Sequence, residues 1–459
     1  MIYCAPVYAL VFIRLVRVIP IAPASVDDGF RSVMSMRVIK FRYIPMYCLL
    51  VLFPHTVGAQ AEESLSRLDT LVQIAQEHNP AISAAQNRWQ AATQRRPQTS
   101  SLDDPMFSYT RWARTPETRV GPQTNVFVLS QRFPYPGKLK LKGQMSDEDA
   151  TAEQQRHDVA GRDVAFRVKQ AYFELYWVDQ SLQILDDYLI VLGTFNRSAE
   201  EKYVTGAGIQ ANVLKSQVEM STVLDRRLAF DRIRVGITSR LNALLGRGAA
   251  TTVEPVTIME RTRYTSPESL VLDRALATRQ ELHIADAMIR KSDLMTRLAH
   301  LNYRPDFNVQ ASYTTIPKVA GSQFTDTGKN AFGIMFNVNI PIRLKRRRAA
   351  VNEARALVKS NQMTRENIRN EITAEISDFY FKMQHTGRTL DLYDQGLIAQ
   401  AESSLESALF AYQNGNLDFL SLLDAERMIL QVNLGYVREQ SDYRKHHAEL
   451  EWAAGGHLP

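Results

Sequence analysis

Thiols are almost absent from this chain: its 459 residues include two cysteines, Cys4 and Cys48. Both precede Ala59-Gln60-Ala61, a run of small residues suited to peptidase cleavage. A chain cut there has no disulfide and depends on packing for its stability. Long apolar runs are scarce as well. Ile44 to Phe53 is broken by Pro54 and His55 and is too short to remain in a bilayer as a helix. Catalytic signatures are missing: there is no HExxH, no GxSxG and no Walker loop. The nine histidines are scattered, and the His446 and Glu449 pair on one helix face has no matching Glu-x-x-His elsewhere. No enzyme, cofactor or metal site is expected. Cations outnumber anions to give a net charge of +6. Residues 1–61 account for +4 of this, with six basic side chains (Arg14, Arg17, Arg31, Arg37, Lys40, Arg42) against Asp27 and Asp28. The remaining +2 is too little for a basic domain, which excludes nucleic acid as a partner.

The leader, residues 1–61, reads as an export signal at 36–61. Met36 to Arg42 is its basic segment, Ile44 to Phe53 its apolar one, and Ala59-Gln60-Ala61 its cleavage site. Residues 1–35 read as sequence upstream of a start at Met36 or Met34. Pro45-Met46-Tyr47 before Cys48 lacks the small residues required for lipid attachment.

Sliding the chain against itself reveals a duplication. AQEHNPAI (Ala75 to Ile82) lies against ALATRQEL (Ala275 to Leu282), and Pro105 and Phe107 lie opposite Pro305 and Phe307. Phe133-Pro134 matches Ile340-Pro341, and Tyr203-x-x-Gly206 matches Tyr412-x-x-Gly415. The order is kept throughout, so the chain divides into a first repeat, 62–265, and a second, 266–459. Each repeat is expected to hold a helix, two strands and a long helical hairpin. Strands are expected at about 106–114, 124–133, 306–315 and 331–340, and hairpins at about 145–246 and 344–453. Phe307, Val309, Ala311 and Tyr313 alternate with polar residues, as do Phe332, Ile334, Phe336, Val338 and Ile340 with Gly333, Met335, Asn337 and Asn339. At about nine residues, such strands cross a bilayer when tilted.

The helices carry a second periodicity. Val168, Ala171, Leu175, Val178, Leu182, Leu185, Leu189 and Leu192 recur at spacings of three and four, the seam of a coiled coil. Ile372, Ile376, Phe379, Met383, Thr386, Leu390, Tyr393 and Leu397 do the same in the second repeat. No proline falls within Asp147 to Asn212 or Arg343 to His457. The stretch from Asp147 to Tyr203 alone makes a helix about 85 Å long. Four strands cannot close on themselves, and an open edge in hydrocarbon strands backbone amides without partners. Copies must therefore pool strands, and a dimer, trimer or tetramer would each meet the barrel minimum of about eight.

In this order and doubled, these strings resemble the TolC family of outer-membrane efflux proteins, joined by LLDAE (Leu422 to Glu426) after the second turn. The resemblance implies an α+β membrane protein of a Gram-negative cell outer membrane. Its coiled-coil helical barrel would lie in the periplasm, and its transmembrane β-barrel would be completed by trimerisation, with twelve strands in all. It also implies a passive exit duct for small toxic compounds or metal ions, working with a periplasmic adaptor (membrane fusion protein) and an inner-membrane pump. FPYPGKL (Phe133 to Leu139) resembles the metal-exporting branch that works with resistance-nodulation-division pumps. Two other readings are the outer component of type I protein secretion and a periplasmic coiled-coil scaffold. By resemblance, the turns at Tyr203, Gly206, Tyr412 and Gly415 are tips that contact the adaptor, and Asn212, Ser421, Asp424 and Asp418 lie at the periplasmic aperture. Pro134, Pro136, Gly137 and Pro341 mark the strand-to-helix borders. The cations after them, Lys138, Lys140, Lys142 and Arg343 to Arg348, are placed to meet lipid head groups at the membrane border.

Overall fold

Asparagine before proline is a strong helix start, and Asn79-Pro80 acts as one here. In a computed structural model that describes residues 57–256, 263–321, 325 and 327–458, it divides α1 (Val57–His78) from α2 (Pro80–Thr93). The Asn79 carboxamide accepts the Ala81 N–H at 2.9 Å, and its Nδ2 donates to the Leu244 carbonyl at 2.8 Å. The basic and apolar leader segments, Met36 to Phe53, lie outside the described residues.

After α3 (Arg95–Ser100) come β1 (Met106–Arg111), a two-residue pair β2 (Glu117–Thr118) and β3 (Gly121–Pro122), and β4 (Asn125–Phe133). Helix α4 (Lys138–Val204) runs 67 residues, roughly 100 Å, and α5 (Gln210–Leu244) returns beside it. The second half repeats the plan with α6 (Glu268–Thr278), α7 (Gln280–Leu301), β5 (Phe307–Thr315), β6 (Ala331–Val338) and α8 (Leu344–Leu392). A π-helical turn (Tyr393–Leu397) leads to α9 (Ile398–Gln413), and α10 (Phe419–Ala453) returns.

The four long strands form one antiparallel sheet in the order β1-β4-β5-β6. The two halves therefore meet at β4 and β5, where Phe133 pairs with Phe307 and Phe127 with Tyr313. β1 ends at Arg111, where its ladder with Asn125 stops.

The helical seam is buried as its spacing requires. Val168, Leu175, Val178, Leu185 and Leu192 are wholly inaccessible, while Leu182 and Leu189 are partly covered at its margin. In the second half Ile372, Ile376, Met383 and Leu390 are buried, but the regular repeat ends there. Tyr393 and Leu397 fall in the π turn instead of extending the seam. The cause is a contact with another helix: the Tyr393 hydroxyl packs so closely over Gly435 of α10 that any Cβ there would collide with it. Tyr436 also donates to Asp394 at 2.8 Å. One extra residue in the turn accommodates these rings and re-phases the helix.

The duplication extends to the joints. Arg279 stands between α6 and α7 where Asn79 stands between α1 and α2, and its Nη1 donates to the Ala453 carbonyl at 2.7 Å. Leu244 and Ala453 are the last residues of the two returning helices. Gly246 and Gly455, both left-handed, follow those helices and press against the same joints, at His78 and Thr278. Arg279 is also bound by Glu281 at 2.8 Å and Glu375 at 3.0 Å, and it lies 4.6 Å from the centre of the Trp452 ring. Helix α10 belongs to both cores: Leu423, Leu430 and Leu434 pack with the first half, and Tyr443 and Leu450 with the second.

Candidate functional site

The strand register places Phe107 and Tyr109 of β1, Phe127 and Leu129 of β4, Val309 and Tyr313 of β5, and Phe332, Ile334 and Phe336 of β6 on one face. Ser130, Asn308, Gln310, Ser312 and Asn337 occupy the other. Among the described residues none covers the apolar face: Phe336 is 74 % exposed, Phe107 68 % and Ile334 59 %. An apolar sheet face of this extent in water would be an aggregation hazard. Among the described residues no helix is long and apolar enough to cross a membrane.

At one end of the sheet a charged knot joins strand to helix. The Asp306 carboxylate, just before β5, accepts Lys138 Nζ at 2.8 Å, the Tyr135 N–H at 2.8 Å and Arg132 Nη2 at 3.1 Å. Pro134 and Pro136 lie in the link between β4 and α4, and Gly137, with φ 95°, turns the chain into the helix. Pro341 lies in the corresponding link from β6 to α8. Asp306 was not singled out from the sequence. Its nearest clue is its place before an alternating strand, but its partners are more than 160 residues away.

At the far end of the helices are the two hairpin tips. Gly206 (φ 71°) and Gly415 (φ 74°) close matching turns. The Ala207 N–H donates to the Lys202 carbonyl at 2.8 Å, and the Asn416 N–H to the Ala411 carbonyl at 2.9 Å. The Gly206 and Gly415 N–H groups reach Tyr203 and Tyr412 at 3.1 Å in both turns, completing two Schellman caps. A cleft of about 360 Å³ lies between the tips, lined by Lys202, Asn212, Lys215, Tyr412 and Asp418. Lys202 sits 3.9 Å from the centre of the Tyr412 ring, a cation–π contact joining the two repeats.

The aperture candidates are thus divided. Asn212 and Asp418 line the cleft. Asp418 also caps α10, accepting the Ser421 N–H at 2.8 Å, and the Ser421 bonds hold its carboxyl below the usual range. Asp424 is exposed and paired with Arg427 at 3.1 Å. Arg427 in turn is held by the buried Glu219. Its neighbour Glu426 is buried, and loss of solvent raises its carboxyl to about 7. The Tyr188 hydroxyl, which feels the charge of Glu219 and Glu426, is buried and has no hydrogen-bond partner among the described residues. The basic members Lys202 and Lys215 were not anticipated. Lys215 occupies in the first turn the position that Asp424 occupies in the second, and this register was the available clue. Among the described residues no three His, Cys, Asp or Glu side chains converge as a metal site.

Comparison with known proteins defines the fold. The family model described as outer membrane efflux protein matches residues 271–456. No curated protein matches the chain. Among solved structures, the chain is similar to the outer membrane protein VceC of Vibrio cholerae, with 19% identity and a TM-score of 0.72 over 86% of this chain and 98% of that one. It is similar to the CmeC outer membrane channel of Campylobacter jejuni, with 15% identity and a TM-score of 0.70 over 85% of each chain. The open state of the MtrE outer membrane channel of Neisseria gonorrhoeae matches at 16% identity and a TM-score of 0.67, over 85% of this chain and 89% of that one. The fold is that of outer-membrane efflux channels, four antiparallel strands and long helices per protomer.

Proposed function

We propose that three copies of this chain close into a twelve-stranded barrel in the outer membrane, continued by a helical duct through the periplasm. One observation carries the reading: sheet and helical layer are unfinished at two edges each. β1 and β6 each pair on one side only. Helix α5 packs chiefly on α4, whereas α8 lies against α7 and α10 at the other margin. Leu214, Val218, Leu228 and Val235 are exposed on α5, and Leu357, Met363 and Phe381 on α8. Two different edges of one chain make a head-to-tail contact, which closes into a ring when the rotation allows. Closure supplies the amide partners that hydrocarbon cannot.

In this duct the tips at Tyr203, Gly206, Tyr412 and Gly415 meet a periplasmic adaptor, and an inner-membrane pump supplies the energy. The substrates are small toxic compounds or metal ions, and FPYPGKL supports the metal-exporting branch. Asp418 and Asp424, repeated around the axis, are the acidic groups of the aperture, opposed there by Lys202 and Lys215.

The mass of the detergent-solubilised particle tests the reading. Three chains per particle, extracted only with detergent, are expected; a folded single copy in plain buffer would overturn it. In planar-bilayer recordings, Asp424→Ala should weaken block by divalent cations, and unchanged block removes Asp424 from the aperture.

A further inference from the structure

The two strand-to-helix borders use their cations differently. At the first, Lys138 is 7% exposed and engaged by Asp306 and the Arg304 carbonyl. At the second, Arg343, Lys345, Arg346 and Arg348 are all exposed, and among the described residues none has a carboxylate partner. Arg347 differs, donating its Nε to the Asn302 carbonyl at 2.7 Å. Four uncompensated cations within six residues repel one another, which is a cost unless an anion answers them.

The apolar stripe of β6 is followed in the chain by this cluster. Phe332, Ile334, Phe336 and Val338 alternate on the uncovered face. Beyond the strand's end, Ile340 and Ile342 in the link and Leu344 at the start of α8 are 78%, 77% and 55% exposed. Ile342, Arg343, Leu344, Lys345, Arg346 and Ala349 together line a shallow recess with both an oily and a cationic wall. A soluble anion would have no use for the oily wall, and a neutral hydrocarbon none for the cations.

We infer that this recess binds an anionic diacyl phospholipid, its phosphate at Arg343, Lys345 and Arg346 and its acyl chains along Ile340, Ile342 and the β6 stripe. The inference rests on the membrane reading above and adds to it a lipid class and a single border per protomer. Guanidinium groups pair with phosphate oxygens through charge-assisted hydrogen bonds, and juxtamembrane basic residues gain from anionic head groups. At the first border Lys138 is spent on Asp306, and the exposed Lys140 and Lys142 do not line the recess.

The test uses the full chain reconstituted in nanodiscs of phosphatidylcholine containing a minority of phosphatidylglycerol, with retained lipid counted by native mass spectrometry. Wild type should retain phosphatidylglycerol in preference to phosphatidylcholine, and the preference should fall as salt is raised. Arg343→Gln/Lys345→Gln/Arg346→Gln should lose it, by roughly fivefold per cation removed. Arg88→Gln/Arg95→Gln/Arg355→Gln, an equal loss of charge at exposed positions elsewhere, should keep it. Equal retention by the first variant and wild type overturns the site, as would a second copy covering the recess. Displacement of the lipid by millimolar inorganic phosphate also overturns it, because the site would then serve a free anion. Insertion into pure phosphatidylcholine nanodiscs reports separately on the membrane reading: if the chain inserts and shows no lipid preference, only the site is lost.

Discussion

The two halves of this protein solve one mechanical problem with different chemistry. Where each pair of leading helices meets the end of its returning helix, the first half uses a neutral carboxamide, Asn79, donating to Leu244. The second uses a buried guanidinium, Arg279, donating to Ala453 and held by Glu281 and Glu375. An amide costs little to bury once bonded, whereas a charge needs its counter-ions. The comparison teaches that a duplicated fold can keep its geometry while the stakes at a single position rise severalfold.

The sharpest way to break the comparison is to remove both joints in turn. Arg279→Ala should destabilise the protein by about 3–5 kcal/mol, because Glu281 and Glu375 lose a buried partner. Asn79→Ala should cost only about 1–2 kcal/mol, the worth of a cap and one hydrogen bond. Urea titration of the detergent-solubilised protein measures both, and equal losses would mean that the joints are not differently loaded.

Acidity sharpens the contrast within the second half. Burial pushes Glu281 upward, but hydrogen bonds and charge from Arg162 and Arg279 outweigh it and hold the carboxyl at about 2. The unfolded chain therefore binds more protons between about 4.5 and 2, so this contribution is complete above that window and is lost as pH falls through it. Glu426 has the opposite sign. Its carboxyl sits at about 7, so the folded state binds the extra proton, and stability declines as pH rises from about 4.5 to 7. Thermal melts across pH should lose the acid limb in Glu281→Gln and the neutral limb in Glu426→Gln. Unchanged profiles would remove either residue from the account.

The smallest expected effect is a symmetry. A Cβ on Gly206 or Gly415 would meet nothing within 4 Å, so only the left-handed backbone resists substitution. Gly206→Ala and Gly415→Ala should each cost about 1 kcal/mol, and the same amount. A large difference in urea midpoint would show that one turn carries a load the other does not.

Periodicity made the strands and helices legible before any coordinates. Phe332 to Ile340 and Val168 to Leu192 report their own local geometry, because period two and spacing three-four are properties of a single element. What stayed hidden were pairings between distant segments: β4 with β5, Asp306 with Lys138, Lys202 with Tyr412. A single chain carries no local mark of its distant partners. The π turn was hidden for a related reason, since Gly435 that makes room for Tyr393 lies on another helix. Among the aperture candidates, residue type was legible but the ion pairs were not: Arg427 beside Asp424 changes the field that a bare carboxylate would create.

One consequence follows from the unfinished margins of the sheet. A solitary protomer has no comfortable resting place, neither in water, where its oily side would be wetted, nor in lipid, where its outermost amides would starve. On the proposed trimer, recruitment of the other copies accompanies entry into the bilayer, so that counting subunits and crossing the interface become one event.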